Sequence, residues 1–353
     1  MTVRANLVRL YIFLIALNLG AWTFALWAFW GRPILLGTAL LAYTFGLRHA
    51  VDADHISAID NATRKLMQER KAPLGVGLFF SLGHSTVVVA LTLAVAAGAA
   101  VVKGRLPALQ QTGALIGTSI SAGFLLLIAA MNLIALFDIF GALGRARRGE
   151  AYEDVNLEEK LNRRGLMGRL FAPLLRIVDK SWKMYPIGVL FGLGFDTATE
   201  VALLGIAAVE AGKGLPVVDI LLFPLLFTAG MALIDTTDGI LMLGAYAWAF
   251  VKPVRKLYYN AVITLISVCV AFAVGGIEAI GVVADHFHLN GGVWDAIRLL
   301  NNNFGLLGFI IVGVFLASWL VSAAAYKILG YDELQPEPNA GPARTSLGLL
   351  SAD

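Results

Sequence analysis

The chain has few charged residues and a single cysteine, and both shortages narrow its class. Asp, Glu, Lys and Arg make up 14% of its 353 residues, whereas about 25% is usual in soluble globular proteins. Apolar residues make up 58%. Cys269 alone forms neither an intrachain disulfide nor a thiolate metal cluster. The composition therefore excludes a soluble globular protein and indicates a polytopic membrane protein.

Other absences exclude further classes. The net charge is only +3, and no basic stretch is interleaved with aromatic residues as a nucleic-acid platform requires. The sequence contains no Gly-x-x-x-x-Gly-Lys-Ser/Thr segment, so this chain has no P-loop to bind ATP. We therefore expect no nucleic acid partner, and nothing in the sequence requires an ATPase partner.

Long apolar runs predict an all-α membrane protein with eight transmembrane helices. A helix needs about 20 apolar residues to cross the hydrocarbon core of a bilayer. Runs of this kind cover residues 7–30, 33–56, 74–102, 112–141, 184–211, 215–250, 258–284 and 303–328.

Basic residues predict the orientation, because short loops rich in Lys and Arg stay in the cytoplasm. They concentrate near the N-terminus and in residues 64–71, 142–183 and 252–256. Both termini of this multi-pass protein are then cytoplasmic, and the surrounding lipid belongs to the cytoplasmic (inner) membrane.

The same pattern divides the chain into two halves. We expect an N-terminal transmembrane half (1–141), a cytoplasmic loop (142–183) and a C-terminal transmembrane half (184–330). Residues 331–353 are rich in Pro, Ala, Ser and Gly without periodicity, and we expect a disordered cytoplasmic tail there.

Two short segments recur in the second half. Phe45-Gly46-Leu47 matches Phe191-Gly192-Leu193, and Phe80-Ser81-Leu82-Gly83-His84 matches Phe227-Thr228-Ala229-Gly230-Met231, at offsets of 146 and 147 residues. The basic loops orient spans 2 and 5 in opposite directions. This predicts an inverted repeat of spans 2–4 and 5–7, the construction of many secondary transporters.

Ionisable residues gather on four of the apolar spans. Each costs roughly 2.5 to 3.5 kcal/mol near the bilayer centre, so such a cluster indicates a functional site. Its members are Arg48, His49, Asp52, Asp54, His55 and Asp60 in span 2, His84 in span 3, Asp196 and Glu200 in span 5, and Asp235 and Asp238 in span 6.

Helical spacing sorts these candidates. Asp196 and Glu200 share a helix face at i, i+4, as do Asp235 and Asp238 at i, i+3. His49, Asp52 and His55 follow one another at i+3 and present one polar strip. Asp54 lies about 140° from His49 on an ideal helix. Either Asp54 faces another partner, or the helix is interrupted here.

A divalent cation accounts for this cluster better than internal ion pairs do. Seven of its members are carboxylates and only Arg48 is a guanidinium, so pairing leaves an excess of negative charge. Imidazole and carboxylate ligands without sulfur suit Ni, Co, Zn or Mn and argue against Cu(I). Mg does not need histidine ligands. The alternative is a polar network that only holds the helices together.

Four polar segments resemble the signature motifs of the nickel/cobalt transporter family. The second-span hallmark, Arg-His-Ala-x-Asp-Ala-Asp-His-Ile, is matched throughout by Arg48 to Ile56. Residues 82–88, 193–200 and 230–238 resemble the motifs of the third, fifth and sixth spans. The resemblance implies a single-chain, high-affinity uptake permease for Ni²⁺, Co²⁺ or both, in which the His/Asp motif of span 2 is essential.

We therefore expect a secondary permease, not an enzyme, that imports Ni²⁺ or Co²⁺ as its substrate and needs no cofactor. The expected metal ligands are His49, Asp52, His55 and His84. The expected supporting or pathway residues are Arg48, Asp54, Asp60, Asp196, Glu200, Asp235 and Asp238.

Two alternatives remain open. One is a metal efflux permease, which the direction of metal flux would distinguish. The other is an intramembrane metalloenzyme that activates water. Against the enzyme, no His-Glu-x-x-His is present and the polar residues are spread over both halves.

Overall fold

The computed structural model describes residues 3–69, 71–97, 106–148, 178–193, 197–249 and 253–328. Every regular element within these ranges is a helix. The α-helices are α1 (Val3–Ala28), α2 (Pro33–His49), α3 (Ala53–Gln68), α4 (Val76–Ala97), α5 (Leu106–Arg147), α6 (Met184–Gly192), α7 (Ala198–Gly212), α8 (Val217–Ile220), α9 (Leu222–Ala249), α10 (Pro253–His286), α11 (Val293–Asn301) and α12 (Phe304–Ile328). The expected disordered tail and most of the 142–183 loop lie outside the described residues.

The all-helical membrane architecture is confirmed, but the count of eight spans is not. Within the described chain, five helices are long and apolar enough to cross a membrane, and seven do so if each of two bent helix pairs counts as one span. Of the eight predicted spans, only the fifth is missing from these seven. It is divided between the nine-residue α6 and the 15-residue α7, and neither is long enough alone.

Span 2 is broken next to its histidines. Helix α2 ends at His49, and α3 begins at Ala53 with a bend of 52° between them. Asp52 has an extended backbone (φ −67°, ψ 147°) immediately before α3. The sequence left open whether the helix is interrupted near Asp54, and the structure shows that it is.

Helix α3 is enclosed by protein rather than exposed to lipid. Every residue from His55 to Leu66 is buried, and the surrounding helices are α5, α9, α10 and α12. Its polar side chains include Asp60, Asn61 and Arg64, each no more than 1% exposed. Polar groups are tolerated at membrane depth when they face the interior of a bundle. Helix α3 is therefore a buried helix that carries polar side chains into the interior of the bundle.

Two glycines allow the helices that carry His49 and His84 to pack closely. A Cβ on Gly46 of α2 would lie 2.1 Å from the carbonyl oxygen of Phe227 in α9. A Cβ on Gly83 of α4 would lie 2.0 Å from the carbonyl oxygen of Tyr185 in α6. Since a real Cβ cannot approach so closely, only glycine fits at either position. These contacts hold His49 and His84 between the two halves of the chain.

Candidate metal centre

Three histidines from three helices meet at the centre of the bundle. His49 ends α2, His55 lies in the first turn of α3, and His84 lies in the middle of α4. Each offers a ring nitrogen, and these atoms all lie within 4.8 Å of one another. All three residues are buried, with 3% exposure or less. Three imidazoles at this spacing are a ligand set suited to a transition-metal ion.

Glu200 joins the histidines from the first turn of α7. Its Oε1 lies 2.8 Å from Nε2 of His84 and 4.0 Å from Nε2 of His49. The two Nε2 atoms are themselves 3.0 Å apart. Thr197 donates a hydrogen bond of 2.8 Å to the other oxygen of Glu200, which fixes the carboxylate. Two imidazole nitrogens and one carboxylate oxygen thus converge on one point.

The outward-facing nitrogens of two histidines have partners of their own. Nδ1 of His49 lies 3.1 Å from Oδ2 of Asp52, and Nδ1 of His55 lies 3.3 Å from Oδ2 of Asp235. Ser81 donates a 2.6 Å hydrogen bond to that same Asp235 oxygen. A carboxylate behind an imidazole sets its tautomer and directs the other nitrogen toward a metal.

Some polar atoms in this centre are buried without a hydrogen-bond partner among the described residues. They include Nε2 of His55, Nδ1 of His84 and Oδ1 of Asp52. Most buried polar atoms in proteins are hydrogen-bonded, so each exception calls for an explanation. For Nε2 of His55, a sufficient explanation is that its lone pair is available to a metal ion.

The structure brings together most, but not all, of the residues singled out in the sequence. His49, His55, His84, Asp52, Glu200 and Asp235 form the centre. Asp54 lies beside His55 in the first turn of α3. Arg48 borders the centre beside α12, Asp60 and Asp238 lie further along α3 and α9, and Asp196 lies outside the described residues.

Sequence reasoning missed three hydroxyl groups of the centre. Thr197 and Thr199 lie 3.3 and 3.2 Å from Nδ1 of His49, and Ser81 holds Asp235. Thr197 and Thr199 are part of the fifth-span motif, and Ser81 directly precedes that of the third span. A hydroxyl is a weak signal, however, because Ser and Thr in membrane helices commonly bond their own backbone. For Ser81 the i, i+3 spacing to His84 was the available indication.

Comparison with known proteins identifies a family and several relatives that this chain resembles. Residues 35–325 match the family described as "High-affinity nickel-transport protein". A "High-affinity nickel transport protein" from Cupriavidus necator is 56% identical over 330 residues, which cover 94% of each chain. "High-affinity nickel-transport protein NixA" from Helicobacter pylori is 43% identical over 82% of this chain and 88% of its own length. "Cobalt transport protein NhlF" from Rhodococcus rhodochrous is 39% identical over 86% and 85%.

No solved structure shows a significant match. The family match spans more than half of the chain, and the Cupriavidus relative is similar over nearly its whole length. On these grounds the chain belongs to the high-affinity nickel-transport protein family.

Proposed function

We propose that this chain imports Ni²⁺ or Co²⁺ into the cytoplasm by secondary transport through an intramembrane histidine site. The observation that carries the proposal is the convergence of His49, His84 and Glu200 in the buried centre of the bundle. The names of the relatives, two for nickel and one for cobalt, support these substrates.

For the coordinating atoms we propose Nε2 of His49, His55 and His84 together with Oε1 of Glu200. The sequence predicted Asp52 as a ligand and Glu200 as a supporting residue. The geometry favours exchanging these roles, since Asp52 contacts His49 on the side away from the other histidines. Asp52 and Asp235 would then orient His49 and His55 rather than bind the metal.

The donor set suits the proposed ions. Three neutral imidazoles and one carboxylate carry a charge of −1, so a divalent ion leaves the site with a net charge of only +1. Imidazole nitrogen favours Ni, Co, Zn and Cu over Mg and Ca, and the lack of thiolate disfavours Cu(I). The charge of Asp54 nearby further stabilises a bound cation.

We also propose eight membrane spans, with α6 and α7 together as the fifth, and an inverted repeat of spans 2–4 and 5–7. The helix contacts support it, because α2 packs on α9 while α6 packs on α4. Glycines at matched positions both pack closely against the backbone of another helix. Gly83 approaches the carbonyl oxygen of Tyr185, and a Cβ on Gly230 would lie 2.8 Å from the carbonyl oxygen of Tyr43. Both spans 2 and 5 are broken beside the centre.

In the proposed topology, both termini and the 142–183 loop are cytoplasmic, and the halves 1–141 and 184–330 lie in the cytoplasmic membrane. An inside-negative potential of 100 mV then favours entry of a divalent ion by about 4.6 kcal/mol, twice the value for a single charge. This potential provides a driving force without ATP.

Radiolabelled metal uptake by proteoliposomes tests the proposal. The purified chain should accumulate ⁶³Ni²⁺ or ⁵⁷Co²⁺ at submicromolar concentration when the interior is made negative, and should lose this activity on His49→Ala. Flux that runs only outward would contradict import. Uptake by the His49→Ala variant equal to that of the unmodified chain would contradict the histidine site.

A further inference from the structure

A second polar cluster lies further along α3 than the histidines. Asp60 is fully buried and follows His55 by five residues. Ser267 of α10 donates a hydrogen bond of 2.6 Å to its Oδ2. At 1.5 Å rise per residue, Asp60 lies about 7.5 Å beyond His55 along the helix axis. The cluster is therefore separate from the histidine centre.

Helix α9 contributes a second carboxylate to the cluster. Asp238 follows Asp235 by three residues, which is about 4.5 Å along the axis in the same direction. The next residue, Gly239, packs against α3 beside Asp60, because a Cβ on Gly239 would lie 3.4 Å from Cγ2 of Ile59. Oδ2 of Asp238 is buried and has no hydrogen-bond partner within the ranges that the structure describes. Two carboxylates, one from α3 and one from α9, thus lie at the same level of the bundle, where a cation bound between them would offset their repulsion.

An unpartnered hydroxyl points to the same place. Thr63 follows Asp60 by three residues on the same face of α3, and it is fully buried. Its Oγ1 has no hydrogen-bond partner in the described part of the chain. This oxygen would lie 3.8 Å from a Cβ on Gly239, the residue next to Asp238. A buried hydroxyl oxygen without a partner beside two carboxylates is a free ligand atom.

We propose that Asp60, Asp238 and Thr63 form a second, oxygen-only cation site that receives the metal after it leaves the histidines. The proposal rests on the proposed function for the identity of the ion and for the inward direction of α3 and α9. His55, in the first turn of α3, contacts Asp235, in the middle of α9, and this pair connects the two sites.

The chemistry of the two sites gives the pathway a direction. Carboxylate and hydroxyl oxygens suit Mg²⁺ and Mn²⁺, whereas imidazole favours Ni²⁺ and Co²⁺. The second site therefore binds Ni²⁺ less tightly than the first and releases it more readily. Arg64, one turn beyond Asp60, is 1% exposed, and its positive charge shortens the stay of a cation there. Abundant cytoplasmic Mg²⁺ competes for the same oxygens and completes the release.

Equilibrium dialysis of ⁶³Ni²⁺ with the purified full-length chain tests this site. We expect two bound ions, a tight one and a weaker one, of which millimolar Mg²⁺ displaces only the weaker. Asp60→Asn keeps the size of the side chain and the hydrogen bond from Ser267, but removes the charge. It should weaken the second site at least about tenfold and leave the tight one unchanged. Ser267→Ala should have a smaller effect in the same direction.

The matched control is Glu278→Gln. Glu278 is also a buried carboxylate (3% exposed) that accepts a hydrogen bond from a serine, here Ser121 at 2.9 Å. It lies on α10 and contacts α5 through Ser121, and the Gln variant should keep both ions. In proteoliposomes, Asp60→Asn should lower the maximal uptake rate but not the apparent affinity, whereas Glu278→Gln should change neither.

Two results would overturn the second site. One is a single class of bound Ni²⁺ that is identical in the unmodified chain and in Asp60→Asn. The other is loss of the tight ion in Asp60→Asn, since Asp60 would then belong to the histidine centre. A chain that binds no tight Ni²⁺ at all would instead contradict the proposed function, so the two failures are distinguishable.

Discussion

Nε2 of His49 lies 3.0 Å from Nε2 of His84, although 35 residues separate the two histidines in the chain. Asp52 behind His49 favours the proton on Nδ1 and leaves a lone pair on Nε2, because a neutral imidazole has one N–H and one lone pair. Nε2 of His84 must then face both this lone pair and the Glu200 carboxylate. One proton on Nε2 of His84 cannot donate a well-aligned hydrogen bond to both of these acceptors. A divalent cation accepts all three lone pairs at once.

Replacing His49 by Ala should therefore abolish high-affinity uptake. The change removes one ligand and the partner of His84, so we expect apparent affinity for Ni²⁺ to fall by more than roughly a hundredfold, beyond the effect of losing a supporting residue. Initial uptake rates over a range of ⁶³Ni²⁺ concentrations measure this. His286→Ala, at an exposed position, is the control and should transport normally. Equal loss in both variants would contradict a specific role for His49.

Glu200→Gln tests the carboxylate of the centre. Gln keeps the size of the side chain and can accept the hydrogen bond from Thr197, but it lacks the negative charge beside the two Nε2 atoms. We expect Ni²⁺ affinity to fall about tenfold to a hundredfold while the protein remains folded.

Glu210→Gln is the matched control for Glu200. Glu210 lies on the same helix, is also buried (6% exposed), and pairs with Lys213 at 2.8 Å rather than with a histidine. Ni²⁺ affinity should be unchanged in this variant. Unchanged affinity in Glu200→Gln as well would remove Glu200 from the set of ligands.

The sequence predicted which residues meet in the centre, whereas the roles that we propose for Asp52 and Glu200 come from the geometry. An ionisable side chain is costly to place inside a membrane span, and this cost alone identified His49, His55 and His84 as candidates without any knowledge of packing. The assignment of Asp52 as a ligand assumed a continuous polar strip along one helix. The break between α2 and α3 instead places Asp52 behind His49. Such a break depends on packing against α9 and α12, which local sequence does not specify.

The long-range geometry was predictable only from the matched segments of the two halves. The match between residues 45–47 and 191–193 suggested that Glu200 lies near the span 2 histidines, and its Oε1 lies 4.0 Å from Nε2 of His49. The crossed packing of α2 on α9 and of α6 on α4 was not predictable. It depends on close backbone approach at glycines, and an isolated Gly in an apolar run gives no indication of its partner.

Metal binding should weaken in acid. The coordinating form of histidine is the neutral imidazole, whose reference pKa is about 6.5, and protons compete with the metal for the same lone pairs. Binding is therefore strongest above this pH and is lost as the pH falls through it. Between pH 7.5 and 5.5 we expect the affinity for ⁶³Ni²⁺ in equilibrium dialysis to fall at least about tenfold. Affinity that is constant over this range would indicate that carboxylates alone bind the metal.

We expect helix α12, which lies outside the proposed repeat, to affect the geometry of the centre. A Cβ on Gly308 would lie only 1.5 Å from the carbonyl oxygen of Val51, within the break between α2 and α3. Gly308→Ala must therefore displace either α12 or the break itself, and overpacking of this kind costs roughly 1 to 3 kcal/mol. Because His49 and Asp52 flank that break, we expect the initial rate of ⁶³Ni²⁺ uptake to fall at least about tenfold, since 1.4 kcal/mol corresponds to a factor of ten.

Two other glycines of α12 provide comparison variants for which we expect a smaller effect on uptake. A Cβ on Gly305 would lie 2.6 Å from Nη2 of Arg48, the far end of a flexible side chain that can move away, so Gly305→Ala should reduce uptake less. A Cβ on Gly313 meets no described atom within 4 Å, and Gly313→Ala should transport normally. Thermal unfolding of each variant separates a lost fold from a displaced centre. If Gly308→Ala transports as well as Gly313→Ala, the contact between α12 and the break has no part in holding the metal site.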